Sequence, residues 1–83
     1  MTTVTLRFFA AARAAAGTSE RTVSDEGPLT IAGAIGLAHA GAADYDEVTS
    51  RCSFLVDGIA TTDREKLLTD GETVDVLPPF AGG

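Results

Sequence analysis

The chain of 83 residues has little cysteine, few basic residues and no long apolar run. A single cysteine, Cys52, cannot form an intramolecular disulfide, which favours a reducing, cytoplasmic compartment. No apolar stretch approaches the roughly 18 residues of a membrane-spanning helix, and the N-terminus does not resemble a signal peptide. Six Lys and Arg residues stand against 12 Asp and Glu residues, and the net charge of −6 argues against nucleic acid or an anionic membrane as the main partner.

The sequence also lacks the residue patterns of a self-sufficient enzyme. It has no glycine-rich phosphate loop before a helix, no Gly-x-Ser-x-Gly elbow and no residues spaced as a nucleophile and its base. The single imidazole, His39, and the single thiol, Cys52, have no partner at metal-ligand spacing, so we expect no metal site. We interpret His39 as a residue at a helix end that meets the helix dipole. We interpret Cys52 as a small, partly buried hydrophobic residue, with a persulfide-accepting or regulatory thiol as the alternative.

The first third of the chain reads as a strand, a short helix and a second strand. Alternating apolar residues predict a strand over 3–9, with Phe9 on an outer face that is partly covered. Alanine-rich residues 10–16 favour a helix, and Gly17 is placed to end it as a C-terminal cap. Residues 20–23 predict a short strand that pairs with the first.

The main helix is predicted between Thr30, a plausible N-cap, and Gly41, a plausible C-cap. Gly33 and Gly36 lie inside it and weaken it by about 1 kcal/mol each relative to alanine, so packing on the sheet must stabilise it. Its apolar stripe consists of Ile31, Ala34, Ile35 and Ala38.

The second half contains short strands and turns. Residues 42–51 are polar and acidic and read as a loop that does not match a calcium-binding pattern. Residues 53–56 predict a strand, followed by an Asp57-Gly58 turn and a short return strand over 59–60.

The last segment ends in a strand of the core. Asp63 is a plausible cap for one turn of helix that runs through Leu67-Leu68, and a turn at Asp70-Gly71 follows. Residues 73–77 then predict the last strand, with alternate valines pointing inward.

These elements predict an α+β fold, a mixed sheet with one main helix packed across one face. A right-handed crossover places the first and last strands in the centre as parallel neighbours, which is the β-grasp, or ubiquitin-like, architecture. We expect one domain over residues 1–83, with 78–83 as an extended C-terminal tail.

The most informative feature is the ending Leu-Pro-Pro-Phe-Ala-Gly-Gly over residues 77–83. Pro78 and Pro79 lack N–H donors, so they should stop the last strand and hold the tail extended. Gly82 and Gly83 have no Cβ and suit a narrow slot in a partner enzyme. The Gly83 carboxylate is a poor electrophile that becomes reactive once another enzyme adenylates it. The alternative interpretation is a frayed terminus without a role.

The tail over 77–83, with residues 70–76 before it, resembles the C-terminus of the molybdopterin synthase small subunit family, ubiquitin-like sulfur carriers of molybdenum cofactor biosynthesis. Residues 4–13 are similar to that family's first strand and the start of its helix, and residues 50–58 to its middle strand and turn. The Pro-Pro pair favours the molybdopterin branch over the thiamine branch.

The resemblance implies a specific chemistry for the chain, which is not an enzyme on its own and binds no cofactor. A ubiquitin-activating-like enzyme adenylates the Gly83 carboxylate with ATP, and a persulfide donor converts it to a thiocarboxylate. The tail then enters the large subunit of molybdopterin synthase and gives its sulfur to the pterin precursor. Gly82 lets the tail pass, and the partner-binding residues are Phe80 as the anchor, with Ala81, Pro79 and Pro78.

Three other functions stay open at this point. The chain could carry sulfur for thiamine, cysteine or tungsten-cofactor synthesis, with the same tail chemistry and another acceptor. It could be a ubiquitin-like modifier that forms isopeptide bonds with target lysines. It could also be a passive binding module whose Gly-Gly ending is incidental.

Overall fold

A five-stranded mixed sheet covered on one face by helices is the frame of the protein, whose computed structural model describes residues 1–79. The elements in chain order are β1 (Thr2–Phe8), α1 (Ala10–Ala16), β2 (Glu20–Asp25), β3 (Leu29–Thr30), α2 (Ile31–Leu37), α3 (Tyr45–Ser50), β4 (Ser53–Val56), β5 (Ile59–Thr61), β6 (Leu67–Leu68) and β7 (Thr73–Leu77). Within the described residues, no helix is long and apolar enough to cross a membrane.

The sheet has the strand order β2-β1-β7-β4-β5, with β1 and β7 parallel and the other neighbours antiparallel. This order confirms the predicted β-grasp fold, with the first and last strands as central parallel neighbours. The predicted bounds of α1, β4 and β7 are confirmed, while β2 runs two residues beyond the predicted 20–23. The predicted Asp57-Gly58 turn joins β4 to β5, and both of its residues have positive φ, 47° and 86°.

The core lies between the inner face of the sheet and α2. Because side chains alternate along a strand, the period of two in β1 and β7 buries one set on each strand. The main core residues are Val4, Leu6, Phe8, Phe54, Val56, Val74 and Val76 from the sheet, with Ile31, Ala34 and Ile35 from α2. The predicted first strand is one residue too long at its end, since Phe9 leaves the sheet as the N-cap of α1. Burial of this apolar surface is the main stabilising contribution to the fold.

The predicted loop over 42–51 is wrong, because it contains the helix α3 (Tyr45–Ser50). Two buried residues four positions apart, Tyr45 and Thr49, form its inner side. The Tyr45 hydroxyl donates a hydrogen bond to the Ile35 carbonyl at 2.7 Å. A helix of this length is marginal by itself, so its contacts with the rest of the protein stabilise it.

The predicted helical turn through Leu67-Leu68 is also wrong, because these residues form β6 and pair antiparallel with β3. Leu68 lies opposite Leu29, and both side chains are buried. Asp63 does act as a cap, since its Oδ1 accepts a hydrogen bond from the Glu65 N–H at 3.0 Å, but it caps a turn. Pairing with a strand almost forty positions earlier decides this conformation.

The predicted N-cap of the main helix is confirmed and its predicted C-cap is wrong. The Thr30 Oγ1 accepts a hydrogen bond from the Gly33 N–H at 3.0 Å. The helix α2 ends at Leu37 with Ala38 as its C-cap, three residues before Gly41. The Ala38 side chain is fully buried, and the last turn closes with a hydrogen bond from the His39 N–H to the Gly36 carbonyl at 3.2 Å, before the chain reaches Gly41. At α1 the predicted C-cap Gly17 is confirmed, with φ of 77°.

Candidate functional site

The strand that leads to the C-terminal tail, β7, is hydrogen-bonded to a neighbouring strand on both sides. Strand β7 lies between β1 and β4, with Phe8 opposite Val76 and Ser53 opposite Leu77. The Phe9 N–H adds a hydrogen bond to the Val76 carbonyl at 3.3 Å. The chain therefore leaves the sheet from a fixed position, next to the start of α1.

The structure places two of the six predicted site residues at this exit. Pro78 is half-buried and Pro79 is exposed, and neither belongs to the strand, which ends at Leu77 as the two prolines predict. The remaining predicted residues lie outside the described residues, so their roles stay predictions; they are Phe80, Ala81, Gly82 and Gly83.

Apolar side chains surround the tail exit on the outer face of the sheet. Leu77 on β7 and Leu55 on β4 are half-buried there, and the Phe9 side chain is 37% exposed. Residues on this face of the central strands are otherwise polar, such as Thr5 and Asp75. An exposed apolar patch of this kind is typical of an interaction site on a protein surface.

A pocket of about 270 Å³ opens next to the tail exit, and sequence reasoning missed it. Its walls are Arg7, Phe8, Phe9, Arg13, Ser19 and Glu20, which we call the Arg13 pocket. The only signal in the sequence is an isolated arginine, Arg13, in the middle of an alanine-rich helix. The pocket requires the end of β1, the helix α1 and the start of β2 to meet, which no local pattern predicts.

Cys52 lies near the tail exit, directly before β4, but its environment does not activate it. The side chain is buried, and the thiol donates a hydrogen bond to the Val48 carbonyl at 3.3 Å. Burial raises the pKa of the Cys52 thiol, and the Arg64 guanidinium offsets this only in part. Because the thiolate is the reactive form, a raised pKa argues against Cys52 as a nucleophile and agrees with its predicted packing role.

His39 lies two residues beyond the end of α2, where it connects α2 with α3. Its Nδ1 accepts a hydrogen bond from the Gly41 N–H at 2.9 Å, and its Nε2 lies 3.7 Å from the Asp46 Oδ1. Its ring meets the ring of Tyr45 edge-on, with centroids 4.7 Å apart. Among residues 1–79, no group of three or more His, Cys, Asp or Glu side chains could hold a metal ion.

The structure is similar to solved structures of small archaeal proteins. The structure of SAMP1 from Haloferax volcanii has a TM-score of 0.78 at 22% identity and covers 98% of this chain and 99% of that chain. A Pyrococcus furiosus protein named as molybdopterin converting factor, subunit 1, has a TM-score of 0.79 at 20% identity, with 96% and 100% covered. The small archaeal modifier protein 1 from Methanosarcina acetivorans has a TM-score of 0.78 at 24% identity, with 100% and 98% covered.

The sequence comparison extends to the tail. No protein with a curated description matches the chain. The model of the ThiS family matches residues 6–83, which includes the Pro-Pro pair and the Gly-Gly ending. The chain therefore belongs to the ThiS family, a family of ubiquitin-like sulfur carriers.

Proposed function

We propose that this protein is the small subunit of molybdopterin synthase, a sulfur carrier in molybdenum cofactor biosynthesis. The observation that carries the proposal is a family match that continues to Gly83, on a chain whose central strand β7 runs directly into the tail. The Pro-Pro pair before the tail favours this branch, and a structural neighbour named as molybdopterin converting factor, subunit 1, supports it.

The proposed chemistry takes place at the carboxylate of Gly83. An adenylating enzyme uses ATP to convert this carboxylate to an acyl adenylate, which makes its carbon electrophilic. The outer sulfur of a persulfide donor then displaces AMP and forms an acyl disulfide with Gly83. A thiol reductant breaks the S–S bond of this disulfide, which releases the thiocarboxylate and leaves the donor sulfur in a disulfide with the reductant. An anionic sulfur is a better nucleophile than a carboxylate oxygen, so the charged carrier can attack the pterin precursor in the large subunit. A dithiolene needs two sulfur atoms, so two carriers are used for each molybdopterin.

In this proposal the folded domain positions the tail and binds the partner enzymes, and it performs no catalysis itself. Hydrogen bonds to both neighbouring strands hold β7, which fixes the point where the tail begins. The tail exit is flanked by the apolar side chains of Phe9, Leu55 and Leu77, which offer a contact surface to the large subunit and to the adenylating enzyme. A net charge of −6 also suits a basic surface on these partners.

A second function, covalent protein modification, uses the same activated tail. Three of the similar solved structures, two from Haloferax volcanii and one from Methanosarcina acetivorans, are of small archaeal modifier protein 1, which favours this alternative over a passive binding module. In that case a lysine amine of a target protein would replace sulfur as the nucleophile that displaces AMP. Carriers for thiamine, cysteine or tungsten-cofactor synthesis differ only in the acceptor of the sulfur.

Deletion of Gly83 tests the proposed chemistry. Wild-type protein, incubated with an activating enzyme, ATP and a sulfur source, should gain the mass that replaces one oxygen by sulfur. The deletion variant and a variant with an added C-terminal tag should not gain it, and neither should support molybdopterin synthesis. Their thermal unfolding midpoints should stay nearly unchanged, because residues 1–79 form a hydrophobic core among themselves.

Two results would decide against this function. Molybdopterin synthesis by the Gly83 deletion variant would contradict the role of the terminal carboxylate. Ladders of the wild-type protein on denaturing gels, linked to target lysines, would favour the modifier instead.

A further inference from the structure

We propose that the Arg13 pocket receives an acidic side chain of the adenylating enzyme and so aligns the carrier while its tail enters the active site. This inference rests on the proposed function, because it concerns the protein that activates Gly83. The chemistry at Gly83 does not itself require the Arg13 pocket, so the proposal gives this pocket a separate role in binding.

The position of the pocket fits a contact that guides the tail. The backbone N–H of Phe9, a wall of the pocket, is hydrogen-bonded to the carbonyl of Val76 on β7. The helix α1, which carries Arg13, follows directly after Phe9. The pocket therefore lies one strand away from the end of β7, close enough for a protein that binds the tail to reach it.

The two arginines of the pocket have different electrostatic roles. The Nε of Arg7 lies 2.8 Å from Oδ1 of Asp75, and its guanidinium lies over the ring of Phe9 at 5.5 Å from the centroid. The charge of Arg7 is thus compensated and its position is fixed. Among residues 1–79, no carboxylate lies within salt-bridge distance of the exposed side chain of Arg13. Arg13 therefore offers an uncompensated positive charge on a chain with a net charge of −6.

A single carboxylate fits this pocket better than a phosphate group. Glu20 contributes a negative charge to the wall, which disfavours a dianion more strongly than a single carboxylate. The planar guanidinium binds a carboxylate through two parallel hydrogen bonds. The ring of Phe9 supplies an apolar wall for the methylene groups of a glutamate or aspartate. These features together favour an acidic side chain of a protein.

The test compares Arg13→Glu with Arg51→Glu as a matched control. Both substitutions reverse one charge, so they shift the net charge of the whole chain by the same amount. Arg51 lies at the end of α3, its side chain is 68% exposed, and it makes a surface ion pair with Glu47 at 3.2 Å. Such exposed pairs contribute little to stability, so Arg51→Glu measures the effect of overall charge alone. Arg13→Lys, which keeps the charge, and circular dichroism of each variant control for the fold.

The measurement is ATP–pyrophosphate exchange by the ubiquitin-activating-like enzyme of the same organism, as a function of carrier concentration. We expect Arg13→Glu to raise KM at least about tenfold with little change in kcat, since Gly83 is intact and the charge pair with the enzyme becomes a pair of like charges. Arg51→Glu should change KM by less than about twofold. Arg13→Lys should give a KM between those of the wild type and Arg13→Glu, because lysine keeps the charge but not the two parallel hydrogen bonds. High salt should reduce the difference between the two reversed variants.

Three outcomes would overturn the inference. Equal KM values for Arg13→Glu and Arg51→Glu, with an active wild type, would leave the proposed function intact and remove the role of the pocket. A lower KM for Arg13→Glu would mean that the enzyme surface facing Arg13 is basic rather than acidic. A wild-type chain that supports no exchange at all would contradict the proposed function and this inference with it.

Discussion

At the scale of single residues, Tyr45 has a buried hydroxyl group that keeps a hydrogen-bond partner. Its side chain is fully buried, and its hydroxyl donates a hydrogen bond to the Ile35 carbonyl at 2.7 Å. Its ring meets the ring of Phe8 edge-on, with centroids 6.3 Å apart. Burial raises the pKa of Tyr45 to about 12, against an ordinary value of 10.0, because the phenolate would lose its hydration; the positive charge of Arg21 opposes this shift.

We therefore predict that Tyr45 ionises at a higher pH in the folded protein than in the unfolded protein. The chain has one tyrosine and no tryptophan, so the ultraviolet absorbance of tyrosinate belongs to Tyr45 alone. The folded protein should ionise near pH 12, and the same protein in guanidinium chloride near pH 10. Because the pKa is raised in the folded state, the neutral phenol stabilises the fold fully below pH 10. This contribution, at most on the order of 3 kcal/mol, is lost as the pH rises toward 12.

Tyr45→Phe is the control for this titration. The Cys52 thiol also has a raised pKa and destabilises the fold in the same direction at high pH. The difference between wild type and Tyr45→Phe in the free energy of unfolding, followed from pH 8 to pH 12, isolates the part that belongs to Tyr45. Tyrosinate absorbance at its ordinary pH in folded protein would show that the hydroxyl is open to water.

At the scale of secondary-structure elements, α3 and α2 depend on packing for different reasons. The helix α3 has only six residues, and the Arg64 guanidinium donates a hydrogen bond to the carbonyl of Thr49 near its C-terminal end. The same guanidinium lies 5.1 Å from the centre of the Phe54 ring, which links the helix end to the core. The helix α2 has a good N-cap in Thr30, but two of its seven residues are glycines with a low helix propensity.

The two glycines of α2 provide a matched pair for a stability prediction. A Cβ at Gly36 would meet no atom within 4 Å, so Gly36→Ala should raise the free energy of unfolding by about 0.5 to 1 kcal/mol. A Cβ at Gly33 would lie 3.2 Å from Leu29 Cδ1 and 3.3 Å from Thr30 Oγ1. Gly33→Ala should therefore gain little or nothing, because it crowds a core residue and the N-cap.

Urea unfolding of the two variants measures this difference. Equal stabilisation by both substitutions would show that the contacts around Gly33 adjust without cost. Destabilisation by Gly36→Ala would mean that this exposed position has a contact beyond helix propensity.

At the scale of the whole molecule, residues 1–79 form one hydrophobic core, and the sequence assigns the predicted tail to partner binding. The largest fully buried side chains include Tyr45, Phe8 and Phe54, all within residues 1–79. Phe80 lies outside the described residues, so its proposed anchoring role is a prediction from the sequence alone. Two prolines before it favour a position away from the domain core.

We expect Phe80→Ala to weaken binding to the large subunit of molybdopterin synthase by about 2 kcal/mol or more, as at an interface hot spot. The thermal unfolding midpoint of the isolated protein should hardly change. Calorimetric titration of the wild type and the variant against the large subunit measures the first effect. Equal affinities would exclude Phe80 from the interface, and a large fall in the unfolding midpoint would make it a core residue.

The sequence by itself determined the features that depend on local pattern. Alternating apolar residues specify β1 and β7, a run of alanines before Gly17 specifies α1, and the Asp57-Gly58 pair specifies the turn between β4 and β5. The handedness of strand crossovers then places β1 beside β7. The proposed reactive end of the chain is also a matter of sequence, because its chemistry depends on a terminal carboxylate and on small residues.

The tertiary structure alone decided the features that depend on contacts between distant residues. The helix α3 forms in a polar segment because Tyr45 is buried against α2, and Leu67-Leu68 becomes a strand because it pairs with Leu29–Thr30. The Arg13 pocket exists because α1 returns the chain to pair β2 with β1. Short polar segments have weak conformational preferences of their own, so the free energy of long-range packing outweighs these preferences. A short stretch of sequence cannot predict this packing energy, because the contacting residues are far apart in the chain.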